Sequence, residues 1–247
     1  MANPMKMHAT VTDLVRCGPG VYKVEFSSES SYPRFRPGQF LHLTVDDFDP
    51  STGFWPESRV FSIASRPGAD RVAIVYSVKG TYTKKMESYL APGKTVWLKF
   101  PYGSFIIDAS LKDGRDVALI AGGTGVSPFI PFIEANNETG WKIGSRVHLA
   151  YGLRSASNLV FGEVYGCALQ FPAFSADFYV EDDSELPQFP RERVRKGMLS
   201  IDVVVRSLPR VGAWVYFLSG PPAMLRRFRE DLSAMGVPAD DIRIDEW

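Results

Sequence analysis

The stretch Ala118-Leu-Ile-Ala-Gly-Gly-Thr-Gly-Val-Ser-Pro128 joins a run of apolar residues to a cluster of three glycines. The apolar run predicts a buried strand, and Ser127 and Pro128 predict the start of a helix. Glycines let a backbone approach a ligand closely, and the free N–H groups of a helix start carry partial positive charge. The stretch therefore predicts either a turn that binds a pyrophosphate or an ordinary glycine-rich turn without a ligand, because it is not the full G-x-G-x-x-G pattern.

The composition is that of an ordinary globular protein. The 247 residues are 45% hydrophobic and 23% charged, and they carry a formal net charge of zero. This length fits one large domain or two of ordinary size, and the charge argues against nucleic-acid binding. No apolar run approaches the length of a membrane span, and the first residues lack the apolar core of a signal peptide, so we expect a cytoplasmic protein.

Cysteine and histidine are scarce. Two cysteines, Cys17 and Cys167, exclude a four-cysteine iron–sulfur site within this chain, and we expect both to be reduced thiols. The histidines, His8, His42 and His148, are scattered along the chain. We therefore expect no metal site.

The first half of the chain is rich in short β-type segments. They contain many β-branched and aromatic residues, are bounded by turn residues, and mostly have no helix between them, which predicts a six-stranded antiparallel β-barrel. One helix is predicted at Thr81–Leu90, before Pro92 and Gly93. The predicted strands are Met7–Val15, Val21–Phe26, Gln39–Val45, Arg59–Ala64, Arg71–Val78 and Thr95–Phe100.

The second half alternates apolar strands with helical segments. Its clearest helix is Ala223–Met235, which Gly236 ends. The alternation predicts a five-stranded parallel sheet with helices on both faces and a ligand at the carboxyl ends of the strands. We place the domain boundary at the polar link near residue 112, giving domains of residues 1–112 and 113–247. The predicted strands are Val117–Ala121, Val147–Tyr151, Phe178–Glu181, Trp214–Ser219 and Ile242–Trp247.

Four further motifs accompany the glycine stretch in a fixed order. They are Arg59-Val-Phe-Ser62, Tyr76-Ser-Val-Lys-Gly-Thr-Tyr-Thr83, Tyr151-Gly-Leu-Arg154 and Ser219-Gly-Pro-Pro-Ala-Met224. With this order, essentially the whole chain resembles the ferredoxin–NADP reductase superfamily. The resemblance implies a flavin-binding barrel, a nicotinamide-binding α/β domain, and FAD rather than FMN as the flavin.

The resemblance implies flavin-binding roles in the first two motifs. Arg59 would hold a flavin phosphate, Phe61 would pack on the isoalloxazine in place of the commoner tyrosine, and Ser62 would bond near N5. The second motif would cradle a phosphate at a helix start. From the residues alone, a salt-bridged arginine in a strand and an ordinary helix cap remain open. Gly80 and Thr83 have the phosphate-cradling spacing, and the predicted cofactor-binding residues of this motif are Val78, Gly80, Tyr82 and Thr83.

The remaining motifs imply a nicotinamide site. Ser219 stands where the family has a cysteine that positions the nicotinamide, so we expect slower hydride transfer or looser placement. At the end of the chain, Trp247 would cover the flavin face and Asp245 would relay a proton, although a terminal tryptophan also serves as an edge-strand anchor. Ser62, Ser219, Asp245 and Trp247 form the predicted catalytic set. The predicted nicotinamide-cofactor ligands are Gly123, Thr124, Gly125, Arg154, Ser155, Gly220 and Pro221.

The resemblance implies an NAD(P)H-dependent flavoprotein reductase. Hydride would pass to flavin N5, and electrons would leave to a separate ferredoxin, flavodoxin or oxygenase component. We expect NADH rather than NADPH, because the acids at 181–183 would repel a 2′-phosphate, although Arg154 argues weakly for NADPH. Two alternatives remain: a ferric-siderophore or small-molecule flavin reductase, and a flavin-carrying electron-transfer or regulatory subunit without nicotinamide turnover.

Overall fold

The computed structural model describes residues 3–111, 114–182, 185–209 and 211–245. It contains two six-stranded sheets, one in each half of the chain. The predicted fold class, an antiparallel barrel followed by a parallel α/β domain, is confirmed. The proposed boundary at Lys112 and Asp113 stays a prediction, because these two residues lie outside the described ones.

The first sheet is antiparallel and nearly closed. Its strands follow the order β4-β3-β6-β1-β2-β5, and the Ala64 N–H donates to the Ala73 carbonyl at 2.8 Å, which draws β4 toward β5. Alternate side chains such as Phe26, Leu41 and Leu43 fill the interior. The elements are β1 (Met5–Gly18), β2 (Val21–Ser27), β3 (Phe40–Thr44), β4 (Arg59–Ser62), β5 (Val72–Ser77), the helix α1 (Thr81–Tyr89) and β6 (Thr95–Tyr102).

The second sheet is parallel, with the strand order β10-β9-β8-β7-β11-β12. It contains the five predicted strands and one more, β10, whose three residues Val-Arg-Lys give no apolar signal. The strands are β7 (Asp116–Gly122), β8 (Val147–Leu153), β9 (Phe174–Val180), β10 (Val194–Lys196), β11 (Trp214–Ser219) and β12 (Ile242–Ile244).

Helices cover both faces of this sheet, as predicted. Ile133 of α3 and Tyr165 of α4 pack in one core, and Val204 of α5 and Leu232 of α6 pack in the core on the other face. A short helix precedes the sheet. The helices are α2 (Asp108–Leu111), α3 (Ile130–Thr139), α4 (Gly162–Ala168), α5 (Ile201–Ser207) and α6 (Pro222–Ala234).

The glycine stretch differs in detail from its prediction. The strand β7 ends at Gly122 as expected, but residues Gly123–Phe129 form a 3-10 helix, and the α-helix begins only at Ile130. Pro128 lies inside the 3-10 helix rather than at the start of α3. The backbone therefore turns over seven residues instead of four.

A buried polar cluster lies near the amino end of the parallel sheet. His148 is 4% exposed, and its Nδ1 lies 2.9 Å from the Ser175 hydroxyl. Buried Asp177 on the neighbouring strand forms an ion pair with Arg195 at 2.9 Å. Desolvation lowers the pKa of His148 to about 4, against the opposing effect of the Asp177 charge.

Because the pKa of His148 is lowered in the folded protein, we expect a loss of stability in acid. Between pH 6.5 and about 4 the unfolded chain takes up a proton at His148 while the folded chain does not. The free energy of unfolding is therefore unaffected by His148 above pH 6.5 and falls as the pH drops toward 4. Between pH 7 and pH 5 we expect the free energy of unfolding of the wild type to fall by about 2 kcal/mol more than that of a His148→Gln variant. Urea unfolding at both pH values measures this, with exposed His8→Gln as the control. Equal losses in wild type and His148→Gln would contradict it.

Candidate active site between the two sheets

Three of the predicted catalytic residues meet where the barrel contacts the parallel sheet. Ser62 ends β4, Ser219 ends β11, and Asp245 follows β12. The Ser219 hydroxyl donates to Asp245 Oδ2 at 2.9 Å, and the Ser62 hydroxyl lies 3.5 Å from the same oxygen. Their exposed fractions are 5%, 3% and 9% for Ser62, Ser219 and Asp245. We call these three residues the seam; Trp247 lies outside the described residues.

Strand pairing explains why the seam forms. Parallel strands β11 and β12 are neighbours, with Leu218 opposite Ile244, and the Asp245 N–H donates to the Leu218 carbonyl at 2.9 Å. The carboxylate therefore leaves the sheet beside Ser219, at the carboxyl edge. On the barrel side β4 is the edge strand, paired with β3. Its last residue, Ser62, reaches Asp245 from the other domain.

Arg59 lies beside the first turn of α1. Its guanidinium carbon is 4.5 Å from the ring centroid of Tyr82, and its side chain is 44% exposed. At the start of that helix the Thr83 hydroxyl accepts the N–H groups of Lys79 and Gly80, at 2.9 and 3.1 Å. An arginine next to a helix N-terminus is a combination suited to a phosphate.

The other two predicted phosphate-cradling residues have structural contacts of their own. Tyr82 is buried, and its hydroxyl bonds the Glu57 carbonyl at 2.9 Å and the Val45 N–H at 3.1 Å. Val78 packs against the barrel core, and its N–H donates to the Gly20 carbonyl at 2.8 Å. These side chains hold the loop and helix that surround Arg59.

Glu57 is a site residue that the sequence analysis missed. It forms an ion pair with Arg59, with 2.8 Å between Oε1 and Nη2. Both side chains are solvent-exposed, so the pair itself contributes little to stability. A phosphate that binds Arg59 must share the guanidinium with this carboxylate or displace it. The only signal in the sequence is the two-residue spacing of the acid and the base.

Phe61 packs into the barrel core. It is 8% exposed, and its ring makes an edge contact with Tyr76 at 6.2 Å between centroids. Ser62 points to the opposite face of the strand. Because β4 is an edge strand, a flat ring standing along its edge can meet both residues. Stacking of Phe61 on a flavin stays a prediction.

The glycine stretch packs tightly against the turn after β11. A Cβ atom on Gly125 would lie 2.5 Å from the Ser219 carbonyl oxygen and 2.6 Å from Gly220 N, and one on Gly220, whose φ is 157°, would lie 2.6 Å from Met224 Cε. Gly123 has a φ of 55° and open space around it. Backbone packing therefore requires glycine at 125, whether or not a ligand binds, whereas the contact at 220 is with the flexible end of a methionine. The half-buried Thr124 and the exposed Pro221 border these turns.

The predicted adenosine-binding residues lie at the same carboxyl edge. Arg154 is exposed after β8, and the exposed acids Glu181 and Asp182 follow β9 next to it, with the Asp182 N–H bonded to the Arg154 carbonyl at 3.1 Å. The Ser155 hydroxyl accepts the Ser157 N–H at 3.3 Å and so caps its own turn. Asp183 lies outside the described residues.

Two further properties of the described part of the chain bear on other classes of site. It contains no group of three or more His, Cys, Asp or Glu side chains placed to hold a metal ion. No helix in the same residues has both the length and the apolar character needed to cross a membrane.

The similarity to known proteins extends over most of the chain. No protein-family model matches it. The reductase component of propane 2-monooxygenase from Rhodococcus jostii (strain RHA1) is 30% identical over 219 residues, which are 86% of this chain and 55% of that protein. The chain therefore spans just over half of the length of this relative.

Solved structures share the whole fold. A ferredoxin–NADP+ reductase from Neisseria gonorrhoeae, solved with bound FAD and NADP, superposes with a TM-score of 0.77 at 17% identity over 97% of both chains. The chain resembles the ferredoxin–NADP reductase superfamily in sequence and in fold. A second solved structure, an Amycolatopsis cytochrome P450 reductase, superposes with a TM-score of 0.81 at 23% identity, over all of this chain and 71% of that one. The resemblance to the superfamily that the sequence predicts is thus confirmed.

Proposed function

We propose that this chain is an FAD-dependent NAD(P)H reductase that passes electrons to a separate acceptor. The observation that supports it best is the seam, where Ser62 of the barrel and Ser219 of the α/β domain approach one carboxylate oxygen of Asp245. Arg59 and the start of α1 lie on the barrel side, and the glycine turns lie on the α/β side. The residues thus fit a flavin and a nicotinamide that meet at the seam.

Each residue has a role that its surroundings allow. Arg59 and the first N–H groups of α1 bind phosphate, and Ser62 orients the flavin through its hydroxyl. The Gly123–Gly125 turn and Gly220 let the nicotinamide cofactor approach the backbone. When bound, the flavin supplies hydride acceptance and electron release. Asp245 holds or moves a proton at the Ser62 hydroxyl, in a site whose burial excludes water.

Turnover with an artificial acceptor tests the proposal. Purified protein reconstituted with FAD should reduce ferricyanide when NADH is supplied, and Asp245→Asn should slow this reaction. Asp240→Asn, an exposed acid near the start of β12, is the matched control and should leave the rate unchanged. FAD-loaded protein without NADH- or NADPH-dependent ferricyanide reduction would contradict the proposal and favour a flavin-carrying subunit.

NADH is the proposed donor. Glu181 and Asp182 stand beside Arg154 at the edge where the adenosine half would lie, and carboxylates repel a 2′-phosphate but accept a bond from a ribose hydroxyl. We expect kcat/KM for NADH to exceed that for NADPH by at least about tenfold, or about 1.4 kcal/mol, because like charges that face each other disfavour the wrong partner. The double variant Glu181→Gln, Asp182→Asn should lower the ratio of kcat/KM for NADH to kcat/KM for NADPH. A wild-type preference for NADPH would contradict this proposal.

The acceptor is proposed to be a separate protein. The Rhodococcus relative is the reductase component of a monooxygenase, so a ferredoxin, a flavodoxin or an oxygenase component is the proposed partner. We also propose a cytoplasmic setting, in which the free cysteines Cys17 and Cys167 stay reduced.

A further inference from the structure

The Ser219 hydroxyl is directed at Asp245. We propose that Ser219 is a positioning residue that holds the Asp245 carboxylate in place at the seam, rather than a direct contact of the nicotinamide. The family resemblance suggested that serine merely replaces a nicotinamide-positioning cysteine at some loss of rate. This inference rests on the proposed function only for its kinetic test.

The distances decide which serine holds the carboxylate. Ser219 donates at 2.9 Å, a normal length for a hydroxyl bonded to a carboxylate, whereas Ser62 at 3.5 Å is at the long limit of a hydrogen bond. A serine hydroxyl has one proton to donate, and in Ser219 it is directed at Asp245. Ser62 is thus left able to turn its proton toward another acceptor.

The hydrogen bond from Ser219 to Asp245 is buried, so its loss is costly. Ser219 is 3% and Asp245 is 9% exposed, so solvent cannot readily replace a lost donor. The backbone bond from Asp245 to Leu218 fixes where the aspartate leaves the sheet, and it does not involve the carboxylate. The Ser219 bond directs carboxylate oxygen Oδ2, which the Ser62 hydroxyl also faces, toward the end of β11.

The identity of residue 219 then has an unexpected consequence. A thiol is a weak hydrogen-bond donor, so Ser219→Cys restores the family residue but loosens Asp245. We expect this variant to be slower than the wild type, not faster. Ser219→Ala, which has no donor, should behave in the same way.

Thermal unfolding of the flavin-free full chain is the first test. Ser219→Ala should lower Tm by about 3–5 °C, but by less than about 1 °C in an Asp245→Ala background, because the acceptor is already absent there. The control is Ser65→Ala, because Ser65 is a buried serine of the barrel whose hydroxyl accepts the Ala73 N–H. This variant should lower Tm by the same amount in both backgrounds. Equal losses for Ser219→Ala in both backgrounds would overturn the proposal. If Ser219→Ala does not fold, Ser219→Cys takes its place in the same cycle.

Stopped-flow reduction of the FAD-loaded protein by NADH is the second test. Ser219→Ala and Ser219→Cys should lower the limiting rate about tenfold, with an unchanged NADH concentration for half-maximal rate, and Ser219→Ala should add nothing to Asp245→Asn. A faster Ser219→Cys variant, or a change confined to the NADH concentration dependence, would overturn the positioning role. A wild type that NADH does not reduce would refute the proposed function, while the unfolding cycle would still decide the positioning role.

Discussion

Arg59→Ala should weaken FAD binding by about 10- to 100-fold. A charge-assisted hydrogen bond to phosphate is worth about 1.5–3 kcal/mol, and Arg59 is the guanidinium placed beside the first turn of α1. Titration of FAD fluorescence with flavin-free protein measures the affinity. Glu57→Gln should move it in the opposite direction, because the carboxylate at 2.8 Å competes with a phosphate for the same guanidinium.

A matched arginine separates this role from a general effect of charge. Arg71 is also exposed and paired with an acid, Glu25, at 3.3 Å, but it lies away from α1. Arg71→Ala should bind FAD as the wild type does. If Arg59→Ala and Arg71→Ala show the same affinity, the phosphate site has been assigned to the wrong residue.

Gly125→Ala should cause the largest loss of function. The added Cβ would lie 2.5 Å from the Ser219 carbonyl and 2.6 Å from Gly220, and backbone atoms cannot move aside as a flexible side chain can. We expect the two turns to separate, with flavin reduction by NADH slowed at least about 100-fold, as about 1 Å of misplacement can do. Tm should fall by about 5–10 °C, since overpacking costs about 1–3 kcal/mol and sometimes more.

Gly166→Ala is the control for this substitution. Gly166 lies within α4, and a Cβ there meets nothing within 4 Å. Alanine is favoured over glycine inside a helix by about 0.5–1 kcal/mol, so this variant should be as stable as the wild type or more stable. A Gly125→Ala variant that reduces flavin at the wild-type rate would show that the close approach of the turns is not needed for activity.

The strand pattern of the sequence predicted the barrel well, because strands such as β2 and β6 alternate buried and less buried residues between turn signals. The parallel sheet was harder to delimit. The strand β9 begins at Phe174, four residues before the predicted start at Phe178. The prediction was too short because the polar residue Asp177 interrupts the apolar run. Asp177 is buried with Arg195 as its ion-pair partner, and Arg195 lies on a strand that the sequence does not reveal. Such a partner is a tertiary contact without a local signal.

The candidate site likewise has features that the sequence predicted and features that it did not. The residues of the seam were named from the family resemblance, but neither the resemblance nor the spacing indicated that Ser219 donates to Asp245. The glycines were predicted to approach a ligand, whereas the structure also gives Gly125 a packing role against Ser219 and Gly220. Both findings depend on how two distant turns pack, which a single sequence does not specify.

An anaerobic visible spectrum of the FAD-loaded protein, recorded before and after adding NADH and then NADPH, tests the central claim most directly. We expect a flavin absorption band that NADH bleaches, with NADPH acting more slowly. A band that neither nucleotide bleaches, or a protein that takes up no FAD on reconstitution, would contradict the assignment of the seam as a flavin–nicotinamide site.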